Sequence, residues 1–396
     1  MKALYCSLYT FIFMGIGVLT TLIGQYLDHL GFSGQQIGIV TAAGTLTAIV
    51  ASPVWGRRYS VLADRGGRYV LVALVFACAA GTGLLLSHVS VFAGFLPMYV
   101  LLYFFQSPSS SLMDALTIDE GQRFGHIRTF GAIGFAVACF GAASLADAIG
   151  IGVIFPIYAG CFLAGMCTVL LIRCKGWTKG KEGRKEPAPA EKTGGIRMKT
   201  SDMVRQLATN RPYVLLLACA FFTNGTDVAN NTYFSFLFLE GGGTLAGVGI
   251  AFLLMAGSEA PFMAASDWLC DRFGQGKILL VAIVFSAVRF GLFSLGLPAP
   301  VLIALFPLQG LVNGIRIVEF VKFVARVIPD RLHGIGIAIY YALGSSFSAI
   351  VCQLVGGRLL DHGVFTMTGP QSVYLFFALF NVAGVVIFLA ARLHRA

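Results

Sequence analysis

Long apolar stretches alternate with short breaks rich in charge, glycine or proline. Residues 37–51, 70–86, 91–105 and 215–222 contain no Asp, Glu, Lys or Arg. A hydrocarbon layer ~30 Å thick takes ~20 residues of helix to cross. The breaks then mark twelve spans, at 5–27, 36–56, 69–87, 91–115, 126–146 and 151–172, and at 212–238, 245–266, 277–297, 300–323, 334–357 and 371–391. The pattern predicts an all-α membrane protein of twelve transmembrane helices. The first span runs on to Gln25 behind Lys2 alone and is followed by no A-x-A site, so it reads as a retained helix rather than a cleaved leader.

Composition agrees. Of 396 residues 57% are hydrophobic and only 12% charged, too few to cover a soluble surface, and mean hydropathy is +0.82. The net charge of +10 is not a nucleic-acid signal, because it is sorted by side. An even span count puts both termini on one side, with Arg57, Arg58, Arg65, Arg68, Arg123, Arg272, Lys277, Arg326 and Arg331. The opposite loops, near Asp28, His88, Asp147, Glu240 and Pro298, carry Arg358 as their one basic residue. The positive-inside rule makes the basic side cytoplasmic, in a plasma (inner) membrane. The nine cysteines form no CxxC pair, and neither a disulfide nor a metal site is expected.

The chain divides in two. Residues 1–173 hold six spans, 174–210 form a charged linker with the Pro187-Ala188-Pro189 run and a short surface helix expected at 200–207, and 211–396 hold six more. The halves echo each other. Asp64-Arg65-Gly66-Gly67-Arg68 follows the second span, and Asp271-Arg272-Phe273-Gly274 follows the eighth. Leu145-Ala146-Asp147-Ala148-Ile149-Gly150 ends the fifth, and Leu359-Leu360-Asp361-His362-Gly363 ends the eleventh. Parallel six-helix repeats resemble the major facilitator transporters, whose two pseudo-symmetric bundles bind solute at the bilayer midplane. That resemblance assigns Asp64, Arg65, Gly67 and Arg68, with Asp271 and Arg272, to a gating motif. Ser60 stands where the motif usually opens with Gly.

A charge at mid-bilayer costs ~2.5–3.5 kcal/mol on insertion scales, so it needs a partner or a watery cavity. Asp114, Arg128, Asp227, Glu259, Arg289, Arg316, Glu319 and Lys322 fall in or at the edge of spans. Helical spacing gathers polar faces: Ser107, Ser110, Ser111 and Asp114; Asn224, Asp227 and Asn231, with Asn230 beside them; Gln309, Asn313, Arg316 and Glu319. These faces are expected to line one cavity for a small-molecule substrate.

The run Phe124-Gly125-His126-Ile127-Arg128-Thr129-Phe130-Gly131-Ala132-Ile133-Gly134-Phe135 resembles the group of the lactose permease and the phenylpropionate and nucleoside proton symporters. The resemblance implies that Arg128 binds substrate and pairs with Asp114, that Phe135 lies under a bound ring, and that Glu259, Asp227 and Arg289 take charged positions of the eighth, seventh and ninth helices. The group's coupling His and Glu in the tenth helix are replaced by Gln309 and Val312, and its eleventh-helix Lys by the region of Ser345 and Ser346. Proton coupling would then rest on Glu259, Asp227 or Glu319, with Arg289 nearby. A carboxylate withdrawn from water takes up a proton more readily.

The expected function is secondary active uptake of a sugar, nucleoside or aromatic acid by alternating access, with no cofactor beyond a coupling ion, H+, and with a monomer in the lipid bilayer. The alternatives are a proton-coupled drug or metabolite efflux antiporter and a non-transporting receptor. The fifth span lacks the Pro of the drug antiporters' Gly-Pro motif. No P-loop, metal-ligand spacing or nucleophile–base pair points to an enzyme.

Overall fold

The computed structural model describes residues 1–62, 64–120, 124–179 and 200–393. Of Arg65 only the backbone is described. The centre of the expected linker, 180–199, lies outside the described residues, as do 121–123 with the basic Arg123.

The chain is a succession of helices: α1 (Lys2–His29), α2 (Gly34–Val61), α3 (Arg65–Leu86), α4 (Phe92–Gln106), α5 (Ser109–Asp119), α6 (Phe124–Ile149), α7 (Ile154–Lys179), α8 (Thr200–Thr209), α9 (Arg211–Glu240), α10 (Leu245–Phe273), α11 (Gln275–Phe293), α12 (Ala299–Val327), α13 (His333–Ile339), α14 (Ser348–His362) and α15 (Gly369–Ala390). A π-helical stretch, Tyr340–Phe347, joins α13 to α14 into one element. Among the described residues, eleven elements are long and apolar enough to cross a membrane. The expected fourth span is not one helix but two, α4 and α5, parting at Ser107-Pro108. Helix is forced in lipid because every backbone N–H and C=O must be satisfied within the chain.

Pro108 accounts for the break. It has no N–H to give the carbonyl four residues back, on Phe104. The Trp55 indole of α2 supplies that bond instead, Nε1 donating to Phe104 O at 3.1 Å, and the Ser109 hydroxyl donates to Phe105 O at 3.2 Å. The Trp55 ring also packs on Phe104 and Phe105, with centroids 5.7 and 5.8 Å away.

By packing, the described chain forms two compact units. One gathers Met1–Leu19, Thr47–Ala138 and the residues described from Gly152 to Lys179; the other gathers Thr20–Leu46, Cys139–Ile151 and the residues described from Thr200 on. The division therefore cuts through α1, α2 and α6 rather than falling only at the linker. The ends of the expected linker are helical: α7 runs to Lys179 and α8 starts at Thr200. The anticipated surface helix is thus present, and Leu207 anchors it in an apolar cluster with Tyr213, Ile328 and Leu332.

Replacing Trp55 by Phe keeps a ring but orphans the Phe104 carbonyl. Trp55→Phe should lower stability by ~1–3 kcal/mol, the cost of an unmet buried acceptor. Pro108→Ala returns an N–H to the same carbonyl and should recover much of the loss. Thermal unfolding of the two single variants and the double in one detergent measures the coupling; additive losses would contradict it.

Candidate functional site

In the first unit, Asp114 of α5 meets Arg128 of α6. The Arg128 guanidinium donates to Asp114 Oδ2 at 2.9 Å, and Tyr9 Oη of α1 donates to Oδ1 at 2.6 Å. The pair is only partly covered, with side chains 50% exposed for Arg128 and 23% for Asp114. Arg128 also lies over the Phe13 ring, 5.9 Å from its centroid, and Phe13 stacks with Tyr9 one turn away, at 6.2 Å and 12°. The anticipated Asp114–Arg128 pair is present; the ring beside it is Phe13. Phe135 sits half-buried two turns along α6 and has no ring contact among the described residues.

Glycines in the run after Arg128 make this arrangement possible. A Cβ on Gly131 would stand 2.8 Å from the Phe13 ring, and one on Gly134 would stand 2.5 Å from Thr10 O and 2.9 Å from Thr10 Cα. Bare backbone at both positions lets α6 lie against α1, which carries Tyr9 and Phe13 to the Asp114–Arg128 pair.

The second unit holds a drier constellation. Asp227 of α9 is clasped by two arginines. Arg289 Nη2 of α11 donates to Oδ1 at 2.9 Å, and Arg316 Nη1 of α12 donates to Oδ2. Arg289 is wholly buried, Arg316 5% and Asp227 12% exposed. Arg289 lies over the Phe290 ring at 4.3 Å. Arg316 also donates to Asn224 Oδ1, while the Asn224 amide donates to Tyr340 Oη at 3.0 Å and Ser345 Oγ at 3.2 Å. Both acceptors belong to the π-helical stretch. Asp227 thus takes its cations from α11 and α12, where the resembled group uses a lysine of the eleventh helix.

The remaining expected residues are dispersed. Gln309 is buried and accepts from Asn230, which in turn accepts from the Tyr374 hydroxyl. The Asn313 amide faces Met255 Sδ at 3.9 Å. Asn231 is half-buried, with no polar partner among the described residues. Glu319 turns away from Asp227 and accepts from Gln275 Nε2 at 3.0 Å and Lys322 Nζ at 3.1 Å; Lys322 also binds Asp267. Glu259 is half-buried in α10, and its carboxylate has no hydrogen-bond or ion-pair partner among the described residues. Its backbone lies close against α12, where Cβ atoms on Gly310 and Gly314 would stand 2.9 Å from Glu259 N and 2.6 Å from Glu259 O.

At the Asp64 turn, the carboxylate caps its own helix, accepting from Gly66 N at 3.1 Å and Gly67 N at 2.8 Å. Arg68 donates to Leu62 O and to Asp119, both near 2.8 Å. Tyr59 shares Asp119 at 2.7 Å. Asp271 is exposed in the last turn of α10, and Arg272 lies over the Trp268 ring at 5.7 Å.

Reasoning from sequence passed over Tyr9, Phe13 and Tyr340. Tyr9 and Phe13 stand four residues apart on α1, with Gly131 against Phe13 and Gly134 against the Thr10 backbone; an aromatic pair at helical spacing was the available signal.

The profile of the family described as "MFS_1 like family" matches residues 3–368. A maltose permease of Geobacillus stearothermophilus is 33% identical over 98% of this chain and 94% of its own. The uncharacterized transporter YwbF of Bacillus subtilis is 27% identical, over 95% and 90%. Among solved structures, the nucleoside transporter NupG superposes with a TM-score of 0.76 at 18% identity, covering 99% of this chain and 98% of that one.

The clasp on Asp227 makes a prediction about sign. Asp227→Asn leaves two buried arginines facing each other, whereas Arg289→Gln leaves a neutral Asp227–Arg316 pair. Breaking a buried pair costs ~3–5 kcal/mol, and Asp227→Asn should be the more damaging change. Thermal unfolding with folded yield from size-exclusion decides it; equal or reversed effects would refute the charge argument.

Proposed function

Because the chain belongs to the MFS_1-like family of the major facilitator superfamily, and so is a membrane transporter, we propose that it imports a small sugar of the disaccharide class by proton-coupled symport. The observation that carries this reading is the partly exposed Asp114–Arg128–Tyr9 cluster beside the Phe13 ring. A sugar hydroxyl both donates and accepts, so it suits a carboxylate and a guanidinium side by side. The apolar face of a pyranose suits an aromatic ring. The near full-length likeness to a protein named as a maltose permease supports the same class.

The coupling role falls to Glu259. Asp227 is paired with two arginines and Glu319 with Lys322. Glu259 alone of the three has no cation against it among the described residues. Alternating access needs a group whose charge changes the balance between two states. The chain works as a monomer in the cell's inner membrane, with both termini and the linker on the basic, cytoplasmic side.

Reconstituted protein should take up labelled maltose in preference to nucleosides and aromatic acids, and accumulate it when a pH gradient, acid outside, is imposed. Uptake of another class, or indifference to the gradient, would displace the reading. Arg128→Ala should abolish sugar binding while leaving a folded protein, since Tyr9 still holds Asp114. Glu259→Gln should keep exchange of internal for external sugar but lose accumulation. Gradient-driven accumulation at the parent's level in Glu259→Gln would remove Glu259 from the coupling role.

A further inference from the structure

The repeated Leu-x-Asp endings of the fifth and eleventh spans are left unused by the site. Both lie at the end of the bundle opposite the basic loops, and both helices stop on a glycine with positive φ, Gly150 at +105° and Gly363 at +61°. Each aspartate reaches a helix start elsewhere in the same compact unit. Asp361 of α14 accepts from Gly34 N at 2.5 Å and Gln35 N at 2.8 Å, at the start of α2. Asp147 of α6 accepts from Leu245 N at 3.1 Å and Ala246 N at 2.7 Å, at the start of α10. The pattern is reciprocal: a carboxylate of the second half caps a helix of the first, and a carboxylate of the first caps a helix of the second.

An α-helix begins with four N–H groups that have no partner in the helix. Here they are shared out. Local residues take the later ones, Ser33 Oγ accepting from Gln36 N at 3.2 Å and Thr244 Oγ1 from Gly247 N at 3.2 Å. The distant aspartate takes the first two. A carboxylate on paired N–H groups at the positive end of a helix is a strong, charge-assisted contact. It is also easily reversed, since water satisfies the same N–H groups when the carboxylate withdraws.

Behind each contact the helices meet backbone to backbone. A Cβ on Gly34 would stand 2.6 Å from Gly357 O, and one on Gly357 would stand 3.0 Å from Gly38 Cα. A Cβ on Gly249 of α10 would stand 2.7 Å from Cys139 O of α6. The first seam continues to the bond from Thr45 Oγ1 to Gln353 Oε1, 3.1 Å. From Gly34 to Thr45 that is roughly 16 Å of helix at 1.5 Å per residue, about half the hydrocarbon thickness.

We propose that Asp147 and Asp361 are paired latches that hold this end of the transporter shut, each locking one half of the chain onto a helix start of the other. The two act as one gate. Losing either shifts the population toward the state open at this end, and both seams loosen together. The proposal depends on the chain being a transporter and on neither the sugar nor the proton assignment.

Hydrogen–deuterium exchange of the full chain in lipid nanodiscs tests it. Asp361→Ala should raise exchange roughly tenfold, the scale of one charge-assisted hydrogen bond, in segments 34–45 and 349–361. It should also raise exchange in segments 139–149 and 245–256, which Asp361 does not touch. Asp147→Ala should give the mirror result, and the double variant the larger one. Segment 279–290, in the core of α11, should stay at parent rates. A rise confined to the first turn of the helix that lost its aspartate would make each carboxylate a local cap and overturn the proposal. A rise that includes segment 279–290 would make it a general stability element and overturn it equally. Asp361→Asn keeps the side chain's shape without its charge and should open both seams to a lesser degree; parent rates in Asp361→Asn would also count against the latch.

Discussion

Lipid offers no hydrogen bonds, and the arrangement of polar groups in this protein follows from that one constraint. A polar group left unmet in a span carries a cost that water would have removed. Where Pro108 withholds an N–H, an indole from another helix comes to the carbonyl. Where Asp227 is buried, two arginines come to it, and Asn224 links Arg316 to Tyr340, while Arg289 Nε and Nη1 and Arg316 Nε have no hydrogen-bond partner among the described residues. Where helices start at the membrane edge, carboxylates from elsewhere in the chain cover the bare N–H groups. Glycine is the counterpart, since these polar contacts are short and need helix axes closer than side chains allow.

The same constraint explains what the sequence discloses. The spans were legible because hydropathy over ~20 residues is a property of the segment alone. The pairing of Asp114 with Arg128 was legible through a resemblance carried by a dozen consecutive residues. Tyr9 and Phe13 were not, because an aromatic in an apolar span reads as packing until its neighbour is known. The fourth span reads as one helix because its hydropathy runs through Pro108, and a proline inside a helix need not break it; Pro53, Pro261 and Pro307 do not. Partners were the least legible feature. Asp227 needed a cation, and Arg289 and Arg316 were visible as charges, but which of them it would take, or that it would take both, depends on how α9, α11 and α12 are rotated. The echo of Asp147 and Asp361 was plain in the sequence, yet its meaning lay in the backbone N–H groups opposite, which no side-chain pattern encodes.

Two ionic centres of similar composition are thus built for opposite ends. Asp114 and Arg128 meet where both side chains are partly exposed. A partly exposed pair of this kind adds little to the stability of the fold. Asp227, Arg289 and Arg316 meet where water does not reach. Parting them would leave a bare charge in a dry interior. The first centre therefore contributes little to stability, and the second ties α9, α11 and α12 together.

That division bears on where a proton can act. Asp227 is clasped by two cations, and removing it would strand both in a dry interior. A carboxylate with no cation against it is poised differently, since withdrawal from water and return to it weigh directly on its charge. Glu259 has that character, and its backbone lies against Gly310 and Gly314 with no side chain between. A change of charge there would act on a contact between α10 and α12 that has no slack to absorb it. α10 is also the helix whose first N–H groups are held by Asp147. The same helix thus carries both that carboxylate and the end capped by Asp147, and on the coupling role proposed for Glu259 it would link the two.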